Sequence, residues 1–214
     1  MIQKNKKTLI LTSIIILLPM VVGLLLWNKL PDTMATHFGS NNDPNGFNSK
    51  AFVVFAIPSM LLALQLFCAF ITSKDPRQKN ISDKIYRLVL WIVPCISLFA
   101  MSITYLYNMN VVLDISRYAG LFVGLLFVII GNFLPKARQN YTIGIKIPWT
   151  LANEENWNKT HRLAGTVWVI VGILLIITTF LNIPKSDYVL FGIIMLAGII
   201  PSIYSFFLHT RKGL

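Results

Sequence analysis

Six apolar runs of membrane-crossing length constrain this chain more than any other feature. They cover about Thr8–Trp27, Ala51–Ile71, Tyr86–Tyr107, Tyr118–Leu134, Leu163–Leu181 and Tyr188–Leu208. A helix rises about 1.5 Å per residue and the hydrocarbon core is about 30 Å thick, so about 20 apolar residues make one crossing. Within that core every backbone N–H and C=O needs an internal partner, which a helix supplies by itself. The sequence therefore predicts an all-α polytopic membrane protein with six transmembrane helices in the cell membrane. Its charge content agrees: only 13% of the 214 residues are charged and the mean hydropathy is +0.66, too greasy for a water-soluble domain.

Basic residues between the runs set the expected orientation. Lys4, Lys6 and Lys7 precede the first run, and Lys74, Arg77, Lys79, Lys84 and Arg87 flank the second connection. Lys136, Arg138, Lys146, Lys159 and Arg162 lie between the fourth and fifth runs, and Arg211 and Lys212 follow the sixth. These are fifteen of the nineteen Lys and Arg; Lys29, Lys50, Arg117 and Lys185 fall on the opposite face. Because positive charge is retained in the cytoplasm, both termini are predicted to be cytoplasmic. The net charge of +11 has the same origin, basic loops beside anionic headgroups, and calls for no direct nucleic-acid partner. The first run exceeds the roughly 7–15 residues of a signal-peptide core and no small-x-small site follows it, so a retained helix is expected.

Helix ends are legible too. The stretches "NKLP" (28–31), "NFLP" (132–135) and "LNIP" (181–184) place Asn, which tolerates left-handed backbone, ahead of a Pro that cannot continue a helix. The first and fourth runs share N-x-L-P and each is followed by a long polar loop on opposite faces, the arrangement that two inverted three-helix halves, a weak 3+3 repeat, would give. Pro19, Pro58, Pro94 and Pro201 within runs predict kinks. Gly120 and Gly124, and the pair Gly198 and Ser202, predict close helix packing.

The runs hold no Asp, Glu, Lys, Arg or His away from their ends. Ion-coupled transport usually needs such a group in the membrane, so that reading is disfavoured. Gln65 is the most polar residue deep in a run and is expected to bond to a neighbouring helix. Neither H-E-x-x-H, G-x-S-x-G nor a glycine-rich phosphate loop occurs, and of the three histidines His37 falls on the outer face and His161 and His209 on the inner one, so they cannot share one metal. No catalytic residues, no metal site and no cofactor are expected. Cys68 and Cys95 fall within runs without a CxxC spacing and read as packing residues.

Two polar segments remain. In "LPDTMATHFGSNNDPNGFNSK" (30–50), Asp-Pro and Asn-Gly mark turns, and the segment reads as a compact connecting loop carrying Asp32, His37 and Lys50. In "NYTIGIKIPW" (140–149) Tyr141, Ile143, Ile145 and Ile147 alternate with other residues, predicting a short extended segment. Asn153 then suits an N-cap, with Glu154 and Glu155 in the first turn and Glu155 four residues before Lys159. Trp157 and His161 share a face of that helix, and Trp149 and Trp157 suit a membrane interface. This second segment reads either as a docking platform for a cytoplasmic partner or as a lock between helices.

These residues also carry a family resemblance. Asn140, Gly144, Ile145, Pro148, Trp149 and Thr150, followed by Trp157, His161, Arg162 and Gly165, resemble the N-x-x-x-G-[IR]-x-x-P-[WT]-T and W-x-x-x-H-[RK]-x-x-G runs of the SdpI-like membrane proteins. Trp27, Leu30, Pro31, Asp32, His37, Phe38, Gly46, Ser49 and Lys50 are similar to the W-x-x-L-P-[DE]…H-F…G-x-x-[SG]-K pattern of that family's common N-terminal domain, with looser spacing before the glycine. The resemblance implies a non-enzymatic bacterial immunity protein that protects against a secreted, membrane-active Sdp-type peptide toxin. In regulatory members it further implies capture of a cognate repressor at the membrane. Residues 1–72 are then a two-helix unit with the outer loop, and 73–214 a four-helix unit with the inner loop. The toxin- or partner-binding candidates are Asp32, His37, Lys50, Asn140, Gly144, Trp149, Thr150, Trp157, His161 and Arg162. A small-molecule or peptide transporter, and an inner-leaflet enzyme using Glu154, Glu155 and His161, are the alternative readings.

Overall fold

A computed structural model describes residues 1–39, 41–181 and 187–214, with only the backbone of 187–190 and 212. The third stop signal (181–184), Ser40 and Lys185 therefore fall wholly or partly outside the described residues. In chain order the elements are α1 (Lys6–Leu25), β1 (Thr33–Phe38), β2 (Pro44–Ser49), α2 (Ile57–Ser73), α3 (Asp83–Asn108), α4 (Ile115–Phe133), α5 (Pro148–Ala152), α6 (Glu154–Phe180) and α7 (Asp187–Lys212). Among the described residues six helical stretches are long and apolar enough to cross a membrane: Gln3–Leu25, Phe52–Ser73, Asp83–Asn108, Ile115–Lys136, Glu154–Phe180 and Phe191–Arg211. The chain is a multi-pass membrane protein. Side chains such as Ile14, Leu25, Phe67, Phe191 and Ile203 stay exposed, a surface that lipid tails cover.

The chain packs into two compact units, Met1–Ser73 with Tyr86–Ser116, and Lys74–Ile85 with Arg117–Leu214. In the first, Val53, Val54, Met101 and Tyr105 form a core with Leu30 and Met34. Pro58 has no N–H to donate back along its helix. The turn before it, Phe52–Ala56, is wound as a π-helix, and Ile57 N–H bonds to the Phe52 carbonyl five residues back. Around Pro19, hydroxyls from α3 reach carbonyls of α1: Ser97 Oγ donates to Ile16 O at 3.2 Å and Tyr105 Oη to Pro19 O at 2.9 Å.

The loop after α1 is more ordered than its turn signals implied. β1 and β2 form an antiparallel hairpin with Thr33 opposite Ser49, Ala35 opposite Phe47 and His37 opposite Gly46, and a bulge around Thr36. The polar alternation that hides this strand pairing also anchors it. Met34 and Ala35 are buried, and the Asn108 side chain brackets Ala35, accepting from its N–H and donating to its C=O, both at 2.9 Å. A side-chain amide thus stands in for a third strand at that edge.

In the second unit α4 and α6 approach closely at glycines. A Cβ on Gly124 would lie 2.8 Å from the Gly172 carbonyl, and one on Gly131 would lie 2.9 Å from the Gly165 carbonyl. Gly198 on α7, also read from sequence as a packing glycine, has nothing within 4 Å of its Cβ position. α6 meets α7 through a buried polar cluster. Asn156 Nδ2 donates to Ser205 O at 3.0 Å, while its Oδ1 accepts from Ser205 Oγ at 2.6 Å and Thr160 Oγ1 at 3.1 Å.

Candidate functional site

At the base of the hairpin the Lys50 ammonium closes a clasp. It lies 3.1 Å from Asp32 Oδ1, 3.2 Å from the Trp27 carbonyl and 5.1 Å from the centre of the Trp27 ring. The Lys50 N–H also donates to Asp32 O at 2.8 Å. The Lys50 side chain is only 11% exposed whereas the Asp32 carboxylate is fully exposed, so Asp32 is screened by water and adds little stability through charge. His37 is exposed and bonds through Nδ1 to Asn45 Oδ1. The fold thus brings Trp27, Asp32 and Lys50 together. His37 lies further along, on β1 beyond the bulge, and takes no part in that clasp.

The tip of the hairpin is held at a separate point. Asn42 adopts φ 66° and its side chain accepts from Ser116 N–H at 2.8 Å and donates to Asp114 Oδ1 at 3.3 Å. Phe38 meets Tyr107 edge-on with centroids 4.7 Å apart. Clamped at base, edge and tip, the hairpin is a rigid polar platform rather than a free loop.

The second segment, from Asn140 to Gly165, is a knot built around a stacked pair. Trp157 and His161, one turn apart on α6, stack with centroids 4.0 Å apart and planes within 17°, and neither has exposed surface. Trp157 Nε1 donates to Ala137 O at 2.7 Å. His161 Nδ1 bonds to Trp157 O at 2.9 Å, and its Nε2 accepts from Ile145 N–H at 2.9 Å. Those partners define the neutral Nδ1–H tautomer. With both ring nitrogens used, the imidazole has none left to ligate an ion or take up a proton.

Gly144 is what lets the backbone reach that nitrogen. Its φ of +122° belongs to glycine, and a Cβ there would collide with His161 Nε2 and lie 3.0 Å from the Trp157 ring. Asn140 shapes the preceding turn: its Oδ1 accepts from Thr142 and Ile143 N–H at 2.9 and 2.7 Å, and its Nδ2 donates to Arg138 and Ile143 carbonyls at 2.8 and 3.0 Å. Thr150 Oγ1 accepts from Ile147 N–H at 3.1 Å and faces the Ile145 carbonyl at 2.8 Å. The extended segment expected over 140–149 is cut short: residues 141–144 bend, and Ile147 is extended just before α5. The side chains of Asn140 and Thr150 take up the local backbone groups at the bend.

Asn153 caps α6 by accepting from Asn156 N–H at 3.0 Å, and Lys159 pairs with Glu155. Trp149 is half-buried and packs edge-on to Phe206 at 5.0 Å. Arg162 is exposed, as are Tyr141, Lys146, Glu154 and Glu155. Of Trp157, His161 and Arg162, only Arg162 reaches the surface.

The largest omission from the sequence reading is Asp75. It is 3% exposed; Oδ2 accepts from Tyr141 N–H and Thr142 Oγ1, both at 2.8 Å, and Oδ1 from Arg77 N–H at 2.7 Å. Arg77 lies 5.1 Å over the Tyr141 ring and donates to Gln139 Oε1. Gln139 Nε2 in turn donates to Thr150 O at 2.8 Å. The one signal for this anchor was an acid followed by Pro inside a basic stretch, "SKDPRQK" (73–79). Among the described residues no three His, Cys, Asp or Glu side chains converge to hold a metal ion.

Residues 136–205 match the SdpI/YfhL protein family, and residues 14–62 match a domain of unknown function (DUF1648). The chain is 27% identical over 207 residues to the Immunity protein SdpI of Bacillus subtilis (strain 168), which covers 94% of this chain and 96% of that protein. No solved structure matches.

Proposed function

We propose, from the premise that the chain belongs to the SdpI-like membrane proteins, that it is an immunity protein protecting a bacterial cell against a secreted, membrane-active peptide toxin. The carrying observation is that the likeness to a protein named for immunity runs through the hairpin and the Asn140–Gly165 knot alike. Protection of this kind asks for a recognition surface, which a rigid exposed platform supplies without a catalytic centre. We assign toxin recognition to the hairpin of residues 1–72, with the exposed Asp32 and His37 as its polar contacts and Lys50 holding Asp32 in place, and orient it outward with both termini in the cytoplasm. The test is expression in a toxin-sensitive bacterium challenged with an Sdp-type peptide. Survival should rise with the intact chain and fall for the Asp32→Ala, His37→Ala double variant at equal membrane abundance. Killing of cells that carry abundant intact protein would overturn the reading.

Residues 73–214 carry the second assignment, capture of a cognate repressor at the inner face. What favours it is the exposed rim around the knot, where Arg162 and Lys146 stand free of the buried stack. Arg162→Ala should leave protection intact and abolish a toxin-induced transcriptional response; an unchanged response would remove Arg162 from the docking surface.

A further inference from the structure

Gln65 lies inside a span, at 1% exposure. Its Nε2 donates to Thr12 Oγ1 at 2.8 Å. Thr12 spends its own proton on α1, towards Thr8 O at 2.9 Å or Leu9 O at 3.1 Å. Gln65 Oε1 is left over, and among the described residues no protein group bonds to it. Turning the amide over moves the problem to its NH₂ group, so one half of this amide lacks a protein partner in either orientation.

Beside it, between α2 and α3 of the first unit, lies a cavity of about 160 Å³ lined by Gln65 and otherwise by apolar side chains and the Cys68 thiol. Gln65, Ala69 and Leu90 are buried and form its floor; Cys68, Val89 and Val93 are half-buried and form its rim. Cavities of roughly 150 Å³ take a benzene-sized ring. A lone water suits this one poorly, because buried water typically makes about three hydrogen bonds and only one acceptor is offered. A purely apolar guest fills the space and leaves the carbonyl desolvated and unpaired.

We propose that this cavity binds a compact apolar group bearing a single O–H or N–H donor, of the phenol or indole class, which reaches Gln65 from the membrane side. Oε1 itself is buried, and the soft terminal torsion of a Gln side chain is what would let the amide turn towards a guest. The same chemistry comes from a free small molecule or from a Tyr or Trp side chain of a membrane-inserted peptide. The site does not depend on the immunity reading.

Phenol and toluene differ by one donor at nearly constant shape and provide the test. The full chain, methyl-labelled and held in lipid nanodiscs, is titrated with each and followed by NMR at Val89, Leu90 and Val93. Phenol should give saturable shifts at these methyls and bind about five- to tenfold tighter than toluene, after correction for lipid partitioning, the difference made by one hydrogen bond. Gln65→Leu should erase that preference, with Gln65→Met as the replacement if the Leu variant does not reach the membrane. A polyleucine transmembrane peptide with one central Tyr, compared with its Phe version, assigns the source. Shifts from the Tyr peptide identify a peptide side chain as the guest, and shifts from phenol alone identify a free ligand. Equal binding of phenol and toluene to the intact chain, a preference that survives at Gln65→Leu, or no saturable shift would overturn the proposal.

Discussion

A single backbone angle holds the knot together. Gly144 at φ +122° carries the chain over the Trp157–His161 stack and sets Ile145 N–H on His161 Nε2. Gly144→Ala imposes both a disfavoured backbone conformation and a collision with His161, so it should destabilise the protein by about 1–3 kcal/mol. Thermal unfolding in nanodiscs should show a clearly lower midpoint, and an unchanged midpoint would mean the turn is not built this way. Trp157→Ala removes a fully buried ring together with its bond to Ala137 and should cost about 3–5 kcal/mol, seen as loss of protein from the membrane. Arg162→Ala, at an exposed position, should stay within about 0.5 kcal/mol of the parent. That contrast separates locking from docking one residue at a time.

At the scale of elements, helix crossings and the hairpin edge make opposite demands on small and polar residues. Gly172 sits where its own Cβ would come within 2.5 Å of the Gly124 carbonyl, so Gly172→Leu must force α4 and α6 apart. Gly198→Ala meets open space and should be neutral or stabilising by up to about 1 kcal/mol through helix propensity. Comparing the two unfolding midpoints checks which small residues the fold uses; an equal drop for both would contradict the α4–α6 crossing. For the hairpin, Asn108→Ala leaves the Ala35 N–H and C=O without their side-chain partner, a loss of about 1–3 kcal/mol. Amide hydrogen exchange at Ala35 should quicken by about fivefold or more while exchange in the cores of α1 and α2 holds.

For the whole molecule, sidedness follows from charge, and surface exposure decides where it can be read. Thr150 is buried and makes a poor reporter, whereas Asn41 and Lys146 are exposed. In a background with Cys68 and Cys95 replaced, a cysteine at Asn41 should label from outside intact cells, and one at Lys146 only after permeabilisation. The reverse pattern would invert the proposed orientation.

The sequence by itself determined the solvent, the number of crossings, most helix ends and the cap at Asn153, because bilayer thickness, helix periodicity and backbone hydrogen bonding act locally and are written in consecutive residues. It also flagged the residues of both polar segments. Their roles were decided by tertiary structure. Trp157 and His161 share one face of α6 and are buried, whereas Arg162 falls off that face and is exposed. What covers the shared face comes from a distance: Gly144 lies 13 positions from Trp157, and Asp75, which holds the adjoining Tyr141–Thr142 turn, lies 82. Asp75 looked like one acid among lysines until folding set it against Tyr141 and Thr142. The hairpin was hidden for the same reason: its edge partner is the Asn108 side chain, 73 residues from Ala35. Partners that distant leave no periodicity to detect. Only packing that excludes water and demands a mate for each buried polar group brings them together.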